Sequence, residues 1–189
     1  HSINRYFRLM KKDNKIGVAL IGFGYWGPNL ARNITESPYS QLICVCELSK
    51  SLRLLAQKKY PHIEITNSFE YVLKNPEIAA IVIATPPESH FSLALEGLEA
   101  GKHILVEKPL ARSAKECNIL IEESERNKCI LMVDHTFRYT GAVTKMKELA
   151  TEDLGQLNYY DSVRINLGLV QREPIVLWAL VVYDLAIVD

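Results

Sequence analysis

No run of about 18 apolar residues occurs in the chain, so hydropathy gives no candidate membrane-spanning helix. The first fifteen residues, HSINRYFRLMKKDNK, contain no apolar core of signal-peptide length. Cysteine is scarce. Cys44, Cys46, Cys117 and Cys129 form neither a C-x-x-C pair nor a secreted disulfide framework, and they read as reduced thiols of a cytoplasmic protein. Cys44 and Cys46 lie two apart on a predicted strand and share a face; a metal pair and two small buried apolar residues are the alternatives, and the second is favoured. Neither sign of charge dominates. Lys plus Arg and Asp plus Glu are both 22, the net charge is +0 and no basic block stands out, which argues against a surface that tracks nucleic-acid phosphates.

What is present begins at Ile16. The stretch IGVALIGFGYWG joins a short apolar strand pattern (Ile16, Val18, Leu20, Ile21) to a G-x-G-x-x-G turn, and Pro28 follows as a residue suited to the first turn of a helix. Gly22 permits the tight turn, Gly24 lets backbone approach a pyrophosphate, and Gly27 lets the helix pack close to the strand; Phe23, Tyr25 and Trp26 lie between them. Glu47 ends the run LICVCE twenty residues after Gly27, where a carboxylate accepts hydrogen bonds from adenosine ribose hydroxyls. Its charge repels a 2'-phosphate, favouring NAD over NADP, although Lys50 and Arg53 stand nearby.

Strand and helix patterns then alternate, which predicts a doubly wound α/β layer with a parallel sheet. Helices are expected over 29–36, 50–60 with Ser49 as cap, 68–75 with Asn67 as cap, 89–100, and 114–127 with a Ser113/Glu116 capping box. Strands are expected over 41–47, 63–66, 79–84, 103–106 and 129–133. Thr85-Pro86-Pro87, with His90 opening a helix, and Glu107-Lys108-Pro109 both follow strands, at the carboxyl edge where such sheets bind ligands. The length suits one domain of usual size with part of another. The first spans 13–134 and the second 135–189, with a helix over 142–150, a long strand over 157–167 and a last apolar helix over 176–188. That second unit is too small for an independent layer, so a truncated chain or a covering partner, with homo-oligomers, is expected. His90 and His135 lie near the predicted cleft, and a structural role is the commoner one for such histidines. Arg138, Arg164 and Arg172 suit a substrate carboxylate or diphosphate, with surface pairing equally open.

With the glycine turn, Ala84-Thr85-Pro86-Pro87 with His90, Glu107-Lys108-Pro109, and Arg164 followed by the segment from Trp178 to Asp184, nearly the whole chain resembles the Gfo/Idh/MocA oxidoreductases. The wording of residues 157–189 is closest to the branch that oxidises nucleotide-linked sugars. The resemblance implies that NAD(P) lies across the strand ends, touching Gly22 to Gly27, Glu47, Thr85, Pro86, His90, Glu107 and Lys108. It implies that Lys108 faces the substrate hydroxyl and that a larger C-terminal sheet builds the substrate wall. Where that branch places an Asp and a His four residues apart, this chain has Ala179 and Tyr183. Tyr183 is then either the acid/base, as in some branches, or an aromatic of an apolar helix. The expected activity is hydride transfer between a sugar or nucleotide-sugar hydroxyl and nicotinamide. The alternatives are a non-catalytic NAD-binding fragment or lapsed paralogue and, more weakly, a methyltransferase.

Overall fold

The computed structural model describes residues 15–152, 158–163 and 181–188, and the chain divides into two compact units, residues 1–132 and 133–189. The first unit is built on a six-stranded parallel sheet of order β3-β2-β1-β4-β5-β6. Its strands are β1 (Ile16–Ile21), β2 (Ser40–Cys46), β3 (Glu64–Thr66), β4 (Ala80–Ile83), β5 (His103–Glu107) and β6 (Leu131–Asp134). β1 pairs with β2 on one side, Ile21 opposite Cys46, and with β4 on the other, Ile21 opposite Ile83. The chain thus leaves β1 in one direction and returns on its other side after β3. That reversal leaves a crevice at the carboxyl ends of β1 and β4, the place where open α/β sheets take ligands.

Both faces of the sheet are covered, which is why the strands read as unbroken apolar runs. Helices α1 (Gly27–Glu36), α2 (Lys50–Lys59), α3 (Phe69–Lys74), α4 (His90–Glu99) and α5 (Ala114–Arg126) connect the strands. Val18, Leu20, Val45 and Val82 pack with Ala31 of α1 and Ala56 of α2. Ala19, Ile21, Cys44, Cys46, Ile81 and Ile83 turn the other way and pack with Val72 of α3, Ala94 and Leu98 of α4, and Leu120 of α5. The period-2 alternation of strand side chains assigns each residue to its face. Cys44 and Cys46 therefore behave as small core residues. Burial, with the Cys46 thiol adding to it, pushes the Cys44 thiol up to about 12. Burial and then the neighbouring Glu47 carboxylate push Cys46 up to about 11, so both stay protonated and inert.

Local details correct several expectations. The helix expected to start at Asn67 is capped by Ser68, whose Oγ accepts the Tyr71 N–H at 3.2 Å; a hydroxyl at that position reaches the N3 amide. Ser49 precedes α2 without a side-chain cap, because its Oγ lies 2.9 Å from Ser51 Oγ. Ser113 does cap α5 by accepting the Glu116 N–H, but the Glu116 carboxylate returns to the Arg112 N–H and leaves the capping box half-made. Gly101 ends the α4 region at φ 74°, as a left-handed stop.

One buried charge braces the far edge of the sheet. Lys102, 9 % exposed, donates from Nζ to the Asn75 and Ile78 carbonyls at 2.9 and 2.7 Å, holding the entry to β4. Desolvation lowers its pKa. Lys102→Met keeps the stem and removes the donor, leaving two carbonyls short of a partner. Urea unfolding is expected to show a loss of about 2–3 kcal/mol, and a change below about 0.5 kcal/mol would contradict this role.

In the second unit a short 3-10 turn, Thr136–Tyr139, leads to α6 (Gly141–Glu152), and α7 spans Val182–Val188. Ser162 Oγ donates to Asp184 Oδ1 at 3.1 Å. The long strand expected over 157–167 is not found at 158–163, which carry no strand conformation; a strand forms only against a neighbour, and none pairs with it among the described residues. The rest of that stretch, the first part of the last expected helix (residues 176–180), and Arg164, Arg172, Trp178 and Ala179 lie outside the described residues. No helix among the described residues is long and apolar enough to cross a membrane.

Candidate functional site at the carboxyl edge of the sheet

The glycine turn closes the top of β1. Gly22 sits at φ 93°, a left-handed conformation, and a Cβ there would lie 2.6 Å from the Ala84 carbonyl oxygen at the end of β4. Gly27 is equally constrained, since its Cβ would lie 2.5 Å from the Gly22 oxygen. These two positions draw β1, β4 and the start of α1 together. Above Gly24 a Cβ would meet nothing within 4 Å, so that backbone faces open space. The first turn of α1 carries no acidic side chain to occupy its positive end. Open backbone before an uncompensated helix N-terminus fits a dinucleotide pyrophosphate.

Glu47 stands just past β2 and ties this turn down. Its Oε2 accepts the Phe23 N–H at 2.7 Å and its Oε1 accepts the Ser49 N–H at 2.8 Å. A carboxylate has about four acceptor positions, so one on each oxygen is left for ribose hydroxyls. Arg53 donates from one guanidinium nitrogen to the carbonyls of Glu47 and Leu48 at 2.9 and 2.6 Å, which fixes the loop from the other side. Phe23 is fully buried, whereas Tyr25 is 95 % exposed and stacks on Trp26 at 6.3 Å between ring centroids. The three interleaved aromatics therefore divide into one core residue and two rim residues.

The second half of the edge is built by the loops after β4 and β5. Thr85 and Pro86 follow β4, and a Cβ on Gly22 would come within 3.0 Å of Thr85 Cγ2, so this loop touches the glycine turn. Ser89 lies with its Oγ 2.7 Å from Thr85 Oγ1 and 2.8 Å from the Pro86 carbonyl. Ser89 was not among the expected site residues; a serine three or four positions after Thr-Pro is the signal of such a local turn. His90 is 1 % exposed. Its Nε2 lies 2.8 Å from the Thr85 carbonyl oxygen and its Nδ1 lies 2.7 Å from the Pro109 carbonyl oxygen. Glu107 ends β5, and Lys108 and Pro109, joined by a cis peptide bond, follow it half-buried. Contacts thus run without a gap from Glu47 to Phe23 and Gly22, on to Thr85, through His90, to the Lys108–Pro109 turn.

The other expected residues are in the second unit. Arg138 is exposed at the end of the Thr136–Tyr139 turn, and Tyr183 falls within α7. His135 Nδ1 is buried without a hydrogen-bond partner among the described residues. Burial lowers the His135 pKa; Asp134 opposes that shift and Arg138 reinforces it. No group of three or more His, Cys, Asp or Glu side chains able to hold a metal occurs among the described residues.

Known proteins share this fold. Residues 16–135 match the family described as the Oxidoreductase family with an NAD-binding Rossmann fold. The uncharacterized oxidoreductase YdgJ of Escherichia coli is 31 % identical over 154 residues, covering 79 % of this chain and 43 % of that protein. The NAD(+) scyllo-inositol 2-dehydrogenase of Bacillus subtilis is 30 % identical over 151 residues, covering 78 % and 44 %. Among solved structures, the YPO2259 oxidoreductase of Yersinia pestis superposes with a TM-score of 0.79 at 28 % identity, covering 93 % of this chain and 52 % of that one. The chain spans less than half the length of these two curated relatives. A six-stranded doubly wound sheet, a glycine turn closed on β4 and a family match over most of the first unit lead to one assignment: the chain belongs to the Gfo/Idh/MocA oxidoreductase family, with its NAD-binding Rossmann fold.

Proposed function

We propose that this chain supplies the dinucleotide-binding part of an NAD(P)-dependent oxidoreductase that acts on a hydroxyl of a sugar, nucleotide sugar or cyclic polyol. The observation that carries the reading is the continuous run of contacts from Glu47 to Pro109, next to Lys108, along one sheet edge. In this reading Gly24 and the N-terminus of α1 receive the pyrophosphate, and Glu47 receives the adenosine ribose. Thr85, Pro86, Glu107 and Lys108 border the nicotinamide half. The bound cofactor supplies the hydride acceptor. Lys108 holds the substrate oxygen and stabilises the negative charge that develops there, a task for a fixed cation in a site shielded from water. Tyr183 is proposed as the proton acceptor and Arg138 and Arg164 as substrate contacts, all three from the second unit. A polyol or sugar hydroxyl suits the scyllo-inositol activity of the Bacillus relative. The nucleotide-sugar branch remains part of the proposal on the wording of residues 157–189, and an assembly of several copies in the cytoplasm goes with it.

Glu47 argues for NAD over NADP, because a 2'-phosphate would meet a carboxylate already held in place by two backbone amides. Fluorescence titration is expected to show NADH binding at least about tenfold more tightly than NADPH, a difference of about 1.4 kcal/mol. Glu47→Gln removes the charge and sets an amide group against a backbone N–H, so NADH affinity is expected to fall and the preference to shrink. Equal affinity for the two nucleotides in the unmodified chain would contradict the assigned role of Glu47.

A further inference from the structure

The geometry points to His90 as a positioning residue that locks the loop after β4 to the loop after β5 through both of its ring nitrogens, and so sets the nicotinamide half of the site. This rests on the proposed dinucleotide site and adds to it a group that touches neither cofactor nor substrate. β4 and β5 are held by ladder bonds as far as the pair Ile83 and Val106. Beyond that pair the loops contain Pro86, Pro87 and Pro109, which have no N–H to donate. None of the three can extend the ladder, and the carbonyls of Thr85 and Pro109 are met by the ring of His90.

The His90 ring lies between them, at 2.8 Å from one and 2.7 Å from the other, and is 1 % exposed. Carbonyl oxygens only accept, and which ring nitrogen donates is set by the tautomer. α4 begins at His90, which anchors the ring to a rigid element. Lys108 immediately precedes the bridged Pro109 in the chain, so the bridge bears directly on the turn that carries the lysine. The glycine turn and Glu47 have their own bonds and do not depend on it.

A comparison of two ligands on the whole chain separates the roles. ADP-ribose reaches only the adenosine and pyrophosphate half, whereas NADH also occupies the half bordered by Thr85 and Lys108. In the unmodified chain NADH is expected to bind at least tenfold more tightly than ADP-ribose. His90→Gln has one amide donor group and cannot serve two carbonyls across the width of a ring. It is expected to leave ADP-ribose affinity within twofold and to weaken NADH at least tenfold. Equal loss for both ligands, or no loss for either, would overturn the inference. Failure of both ligands to bind the unmodified chain would overturn the dinucleotide reading itself and this inference with it. Should His90→Gln not fold, a crystal structure of the unmodified chain decides the bridge: both ring nitrogens are expected within hydrogen-bond distance of the Thr85 and Pro109 carbonyl oxygens, and a ring turned away from either would refute it.

Discussion

Gly22→Ala is expected to abolish NADH binding and to destabilise the fold by about 2–4 kcal/mol, the sum of a left-handed conformation forced on a side chain and a steric overlap. The overlap is with backbone: the added Cβ would lie 2.6 Å from the Ala84 carbonyl oxygen, at the end of β4. Ala84 itself donates its N–H to the Ile21 carbonyl at 2.8 Å, so the residue that bears the obstructing carbonyl is anchored to β1, and its backbone has no rotamer to escape into. Relief requires β1 and β4 to separate at the point where the crevice is made. Gly24→Ala is the matching control, because its Cβ would meet nothing within 4 Å. It is expected to unfold in urea within about 0.5 kcal/mol of the unmodified chain while losing NADH affinity, since the new methyl group occupies the space assigned to phosphate. If Gly22→Ala kept both its stability and its NADH binding, the turn would not have the role given to it here.

The second large effect is expected at Lys108. Lys108→Met keeps the apolar stem of the side chain and removes its charge; turnover is expected to fall about 10²–10⁴-fold, the usual range for losing a group that stabilises charge or moves a proton in the transition state. NADH affinity is expected to stay within threefold, because the substitution leaves the loops after β4 and β5 in place and removes only the charge assigned to the substrate oxygen. The assay is NADH formation with a panel of cyclic polyols and UDP-sugars. Binding of NADH without turnover, unchanged by Lys108→Met, would favour a non-catalytic dinucleotide-binding protein in place of an enzyme.

The sheet was legible because its residues signal their faces. Continuous apolar runs such as residues 16–21 and 80–83 require cover on both sides, and the helices supply it, α1 and α2 on one face and α3, α4 and α5 on the other. The glycine turn was legible for a related reason: strand, turn, helix and strand-end acid each narrow the choice. Side-chain bonding at the site was less so. Glu47 was expected to meet ribose, yet nothing in the spacing shows that it also holds the Phe23 and Ser49 amides, because those bonds depend on how two separate strand ends approach each other. The contacts of His90 with Thr85 and Pro109 arise in the same way, from neighbours 5 and 19 residues away in sequence. Caps shifted by one position, from Asn67 to Ser68, because either side chain suits the motif and only backbone geometry selects between them. The strand expected over 157–167 shows the limit of local pattern: its described part, residues 158–163, is β-rich in composition but carries no strand conformation, and pairing, not propensity, makes a strand.

The central claim is that an adenine dinucleotide lies along the carboxyl edge of β1, β2, β4 and β5. A crystal structure of the chain grown with NAD tests it most directly. The account predicts pyrophosphate density over Gly24 at the start of α1, with ribose hydroxyls on the Glu47 carboxylate and the nicotinamide beside Lys108. A well-ordered glycine turn with an empty crevice, or a dinucleotide bound elsewhere on the molecule, would contradict it.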